Sequence, residues 1–169
     1  HRTFLEAIRR VSAQVPGVHV VLCGRGVTWS NPALAGSIEE ASLRDRCHLL
    51  GERADMPRIT AALDIAVSAS AYGDAFPNAV GEAMACGVPC VVTDVGDSGS
   101  LLGETGRVVP PREPAAMADA LGDLLAWDQG ARRRLGLAAR ERIASRFELN
   151  RIVRSIEEMY ARLVAGRTR

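Results

Sequence analysis

Five short apolar runs, separated by segments with helical spacing, constrain this chain more tightly than anything else in it. They cover residues 18–23, 47–50, 64–68, 89–92 and 106–109. Each is too short for an ordinary helix and is flanked by Gly, Pro or charged residues, so each reads as a buried strand. Strands that alternate with helices pair in parallel, because the chain needs a crossover to return to the same end of the sheet. The expected fold class is therefore α/β, a doubly wound, Rossmann-like parallel sheet. Ligands of such sheets sit against the carboxyl ends of the strands. Here those ends are the loops at Gly24, at Gly51, and over residues 70–75 and 93–100.

Two of the four loops belong to one stretch, S-A-S-A-Y-G-D-A-F-P-N-A-V-G-E-A-M-A-C-G-V-P-C-V-V-T-D-V, at residues 68–95. Pro77 suits the first position of a helix, since its φ is fixed near the helical value. Gly87 suits the left-handed residue that closes one. Glu82 falls on the same helical face as Asn78, four residues earlier. Backbone N–H groups at the helix start, including those of Asn78 and Ala79, have no carbonyl one turn back and are free for an anion. Asp74 precedes the helix, eight positions before Glu82. An Asx-type turn after Gly73 is its structural alternative. Phe76 reads as a packing residue that fixes the loop.

Absences narrow the chemistry. All 21 basic residues are arginines, which excludes a Schiff-base lysine and a phosphate-loop lysine. A formal charge of +1 gives no argument for nucleic acid. The charge is uneven, however: from Asp128 onward eleven arginines stand against five acidic residues. Such an end suits a helical surface packed on another domain, or contact with anionic lipid. Gly24-Arg25-Gly26 lacks the third glycine of a dinucleotide fingerprint, because Trp29 occupies its place, and reads as a tight turn. Cys23, Cys47, Cys86 and Cys90 match no zinc or redox spacing and read as small buried hydrophobes in a reducing compartment. His19 and His48 lie in or beside strand runs and read as structural. Asp94 and Asp97 form no Asp-x-Asp pair, and no metal is expected. No apolar run reaches the ~18 residues needed to cross a bilayer. No signal peptide is visible, and the expected location is cytoplasmic.

The remaining segments follow in order. Phe4, Leu5, Ile8 and Val11 predict a helix over residues 1–14. Asn31-Pro32 reads as a turn, with a helix at 38–44 behind it. Asp55-Met56-Pro57 reads as an N-cap with an early helical proline, opening a helix that runs to residue 63. Apolar spacing then predicts a helix after Pro114, another over 135–146, and a last one carrying Ile152, Ile156, Met159, Tyr160 and Leu163. Two parts are expected: residues 1–127 as the sheet domain, and 128–169 as helices continuing it. The chain opens at His1 inside a helical segment, so a fragment of a longer protein is expected.

The stretch D-A-F-P-N-A-V-G-E-A-M-A-C-G-V-P-C-V-V-T-D-V-G resembles the donor-site segment of retaining glycosyltransferase family 4, also called group 1. Its usual form is E-x-F-P-N-x-x-x-E-A-M-A-x-G-x-P-V-V-x-T, and the first Glu is here Asp74. R-T-F-L-E-A, L-C-G-R-G, L-L-G-E-R and T-G-R-V-V-P-P-R-E-P fall in family order, so the likeness runs over nearly the whole chain. It implies the carboxyl-terminal half of a GT-B fold, without the half that holds the acceptor. It also implies the absence of this half's first, central strand and of the Arg and Lys that relatives use on the donor diphosphate. With strand order 3-2-1-4-5-6, an exposed apolar slot and marginal stability should result.

The resemblance also implies roles. Glu82 would accept hydrogen bonds from the donor ribose, and the loop and helix start at Ala75, Phe76, Asn78 and Ala79 would face the phosphates. Asp74 would hold the sugar, one methylene short of the family's Glu. Leu50 and Arg53 would lie at the base edge, where a plain surface arginine is the alternative for Arg53. No cofactor is implied beyond the nucleotide-diphosphate sugar itself. The partners would be that donor and a glycan or glycolipid acceptor. Two other readings stay open: a sugar-nucleotide epimerase of the same architecture, and a non-catalytic nucleotide-sugar sensor or assembly domain.

Overall fold

The computed structural model describes residues 1–73 and 75–166. Helix α1 (Arg2–Gln14) leads to strand β1 (Val20–Leu22), and α2 (Pro32–Glu40) to β2 (Cys47–Leu49). Then α3 (Met56–Ala61) precedes β3 (Ala66–Ser68), α4 (Asn78–Ala85) precedes β4 (Cys90–Thr93), and α5 (Ser98–Leu102) precedes β5 (Gly106–Val109). Helices α6 (Pro114–Ala126), α7 (Gln129–Arg146) and α8 (Leu149–Gly166) close the chain. All strand pairings among the described residues are parallel, with Val20 opposite Cys47, Val67 opposite Val91, and Val91 opposite Arg107.

The strands form two groups, β1–β2 and β3–β4–β5. Between them lies a cavity of about 250 Å³, with Val21, Leu22 and Cys23 on one side and Ala66, Val67 and Ser68 on the other. Helices α3 and α4 line it through Met56, Ile59, Ala79 and Val80. With β1–β5 taken as strands 2–6 of the order 3-2-1-4-5-6, β1 and β3 flank the place of strand 1. The gap between them is the slot expected of a sheet without its central strand.

Side-chain alternation along β4 assigns the two faces. Val91 packs with Leu5 and Ile8 of α1, Leu34 and Ile38 of α2, and Met117 and Leu121 of α6. Cys90 and Val92 pack on the opposite face with Val80 and Met84 of α4, Leu101 and Leu102 of α5, and Ala139 of α7. Helices thus cover both faces, which is the doubly wound arrangement. Burying each such aliphatic side chain contributes ~1.5–3 kcal/mol, so β4, wholly buried, anchors the domain.

Several boundaries depart from the sequence reading. Asn31-Pro32 starts a helix rather than a turn: the Asn31 side chain accepts the Leu34 N–H at 3.3 Å, and Pro32 takes the first helical position. Glu39 and Glu40 consequently end α2 rather than begin it. Pro77 is the N-cap of α4, one step before the expected place, with an extended ψ of 91°. Its carbonyl accepts the Val80 N–H at 3.0 Å and the Gly81 N–H at 3.2 Å. Helix α3 ends at Ala61, and the Asp55 carboxylate pairs with Arg53 instead of capping it. Helix α7 begins six residues earlier than expected, because Asp128 caps it through the Ala131 N–H at 2.7 Å. Gly87 closes α4 at φ +76°, as its residue type demanded.

Candidate functional site

Helix α4 starts at the carboxyl end of β3, behind a loop that is tied down from outside. The Thr93 hydroxyl donates to the Ser70 carbonyl at 2.7 Å, and the Asp97 N–H donates to the Ala75 carbonyl at 2.9 Å. Pro77 is buried, while Ala75, Phe76, Asn78 and Ala79 are exposed. Among the described residues, the backbone N–H groups of Asn78 and Ala79 have no hydrogen-bond partner. Two donors therefore point outward at the positive end of the helix dipole, which favours an anion by about 0.3–1 kcal/mol. Glu82 is exposed one turn further on, above Asn78, and makes no hydrogen bond or ion pair among the described residues. A carboxylate left unsatisfied beside free donors suits a ligand with both hydroxyls and an anionic group. Asp74, placed by resemblance at the sugar, lies outside the described residues.

The other strand-exit loops meet across β1 and β2. The Gly24 N–H donates to the Gly51 carbonyl at 2.8 Å, and the Gly51 N–H to the Val27 carbonyl at 2.9 Å. The Cys23 thiol also reaches the Gly51 carbonyl, at 3.1 Å. Leu50 is 40% exposed beside this knot, which gives an apolar side chain at the rim. Arg53 spends its guanidinium on Asp55, with Nε and Nη2 each 2.9 Å from a carboxylate oxygen. That hydrogen bonding holds the Asp55 carboxyl below its ordinary range and raises Arg53. An arginine used this way has its polar edge occupied.

The predicted residues thus sit on two banks of the slot. Ala79 lines the cavity from the α4 side and Cys23 from the β1 side. Asn78 and Glu82 stand on α4, whereas Leu50 and Arg53 stand beyond β2. No predicted side chain hydrogen-bonds another among the described residues. Larger concavities of about 690 and 570 Å³ lie at the α6–α7 junction and between α1 and α6, lined by no strand-exit loop. His19 Nδ1 and His48 Nε2 lie 3.1 Å apart, both rings exposed. Thr93, which closes the family motif, and Asp97 tie the α4 loop, a role the sequence reading gave to neither. Each is remote along the chain from the carbonyl it binds, so no local pattern shows the contact.

Residues 1–126 match the family described as glycosyl transferases group 1. The chain belongs to that family. It is 31% identical, over 96% of its length, to an exopolysaccharide phosphotransferase of Streptomyces coelicolor, of which it covers 17%. Two solved members of the fold superimpose with a TM-score of 0.82. One is the sucrose-phosphate synthase of Thermosynechococcus elongatus, 29% identical, with 98% of this chain and 43% of that one covered. The other is the Anabaena protein HepE solved with UDP and glucose, 26% identical, with 94% and 44% covered. The isolated C-terminal domain of a group 1 glycosyl transferase from Francisella tularensis shares the fold over 88% of this chain and 79% of that one, at 22% identity and a TM-score of 0.74. This group 1 chain is accordingly the C-terminal half of the GT-B fold. It spans between 17% and 33% of the length of the curated relatives it matches.

Proposed function

We propose that this chain binds the nucleotide-diphosphate sugar of a retaining hexosyltransferase, which passes the sugar to an acceptor hydroxyl held elsewhere in the enzyme. The observation that carries this reading is the start of α4. There the N–H groups of Asn78 and Ala79 and the carboxylate of Glu82, all without a partner among the described residues, share one exposed end of a parallel sheet, within the family's donor segment. The Anabaena relative's complex with UDP and glucose supports the ligand class. In this reading Glu82 accepts hydrogen bonds from the ribose hydroxyls and the α4 amides face the diphosphate. Asp74 reaches the sugar, and Leu50 packs against the base, with Arg53 at its edge. Positioning and neutralisation of the leaving diphosphate carry the catalysis, since glycosyl transfer with retention leaves little covalent work for side chains.

The helices beyond Asp128 extend the donor domain toward the acceptor-binding part, with the exposed apolar face of α8 turned to it. Their arginines would suit a lipid-linked glycan acceptor at an anionic, cytoplasmic membrane face. No helix among the described residues is long and apolar enough to cross a membrane.

Calorimetry with UDP and UDP-glucose on the full-length enzyme tests the assignment. Glu82→Ala should weaken nucleotide-sugar affinity about tenfold or more, the worth of a charge-assisted hydrogen bond. Asp74→Ala should weaken it less. Equal affinity for wild type and Glu82→Ala would remove Glu82 from the site. The phosphotransferase name of the Streptomyces relative favours a second reading, transfer of a sugar phosphate. Product analysis separates the two, because sugar transfer releases a nucleoside diphosphate and sugar-phosphate transfer a monophosphate.

A further inference from the structure

Helix α7 lies along α4 from end to end, and its last residue arrives at the donor loop. At the C-terminal end of α4 the two backbones touch: a Cβ on Gly136 would stand 1.9 Å from the Gly87 carbonyl oxygen. Further along, Ile143 Cδ1 lies 4.0 Å from where a Cβ on Gly81 would be. Four residues on, the Phe147 ring meets Phe76, with centroids 5.9 Å apart and planes tilted by 52°. These three contacts make α7 antiparallel to α4 and bring it to the residue just before Pro77.

The chain also turns at this point. Phe147 leaves the helical conformation at φ −122° and ψ 12°, while its N–H still donates to the Ile143 carbonyl at 2.9 Å. Glu148 then accepts the N–H groups of Asn150 at 3.2 Å and Arg151 at 3.1 Å, which starts α8. Phe147 is half-buried against the α4 face of the core, so its ring is held from below. Phe76 is 43% exposed. Its ring contact is with Phe147, and the neighbouring backbone is tied by the Asp97 bond to Ala75.

We propose that Phe147 is a positioning residue for the donor. Its ring fixes Phe76 and so holds residues 75–78 in the form that presents the Asn78 and Ala79 amides. The inference rests on the donor reading above. An aromatic pair adds a modest, directional attraction beyond area burial. Losing it leaves the loop to sample other conformations, and a ligand then binds more weakly in proportion to the competent fraction.

The experiment uses the full-length enzyme, with UDP binding by calorimetry and Tm read side by side. Phe147→Ala should weaken UDP roughly fivefold to tenfold. Phe147→Tyr, which keeps the ring, should stay within about twofold of wild type. Phe147→Leu keeps bulk without the ring; it should fold like wild type and bind UDP nearly as weakly as the alanine variant. Phe147 acts through Phe76, so the double variant Phe76→Ala/Phe147→Ala should bind no more weakly than Phe76→Ala alone. Wild-type affinity in Phe147→Ala or Phe147→Leu would overturn the inference, as would fully additive losses in the double variant. Either result would leave the donor reading standing if Glu82→Ala still weakens UDP. A wild-type enzyme that binds none of UDP, GDP and ADP would remove both.

Discussion

Glu6 shows how a surface residue contributes within sharp limits. Its carboxylate accepts Arg9 Nε at 2.9 Å and Nη2 at 2.8 Å, and Arg10 Nε at 3.2 Å. The Arg9 hydrogen bond, with the charges of Arg9 and Arg10, brings its pKa from 4.5 down to about 2. A depressed carboxyl pKa gives stability that is fully present above the unfolded value and lost as pH falls through the folded one. Glu6→Gln should therefore lower Tm slightly at neutral pH, as exposed ion pairs do. The gap to wild type should narrow steadily as pH falls from 4.5 toward 2. Parallel Tm–pH curves for the two proteins would show that ionisation is not what Glu6 contributes. At the site, by contrast, Glu82 has no such partner among the described residues, and that leaves its carboxylate available. The two helix glutamates differ already in sequence: Glu6 has arginines three and four residues on, whereas Glu82 has Ala85 and Cys86 there.

Among the elements, the α4–α7 pair decides most about the site, and one glycine makes it possible. Gly136 approaches Gly87 so closely that an added Cβ would meet backbone, which cannot swing aside as a flexible side chain can. Gly136→Ala should destabilise the chain by about 1–3 kcal/mol or more through overpacking, read from urea unfolding midpoints. A change within ~0.5 kcal/mol would mean that α7 shifts along α4 without cost. The strands were legible in sequence because apolar runs between turn residues have few other uses. Their ends were not, since hydrogen-bonded pairing covers only three or four residues of each run. The start of α2 was also missed: Asn-Pro suits a turn as well as a cap, and burial of Leu34 and Ile38 on one face selects the cap.

For the whole molecule, the consequence lies in a parallel sheet divided into two groups. Strand β4 has neighbours on both sides, while among the described residues β1 and β3 each pair on one side only. Hydrogen exchange by mass spectrometry or NMR should find the β4 amides slowest, with β1 and β3 exchanging markedly faster. Equal protection of β3 and β4 would mean that the slot closes in solution. The sequence by itself determined the α/β class, the parallel pairing, the loops at the strand ends and the family of the donor segment. It could do so because apolar period, turn residues and a long ungapped motif are local properties of the chain. Only the tertiary structure decided that the Thr93 hydroxyl holds the Ser70 carbonyl, that the Gly24 and Gly51 loops tie to one another, and that α7 ends against Phe76. Those facts depend on which distant residues meet, and a residue's neighbours in space are fixed by packing rather than by its neighbours along the chain.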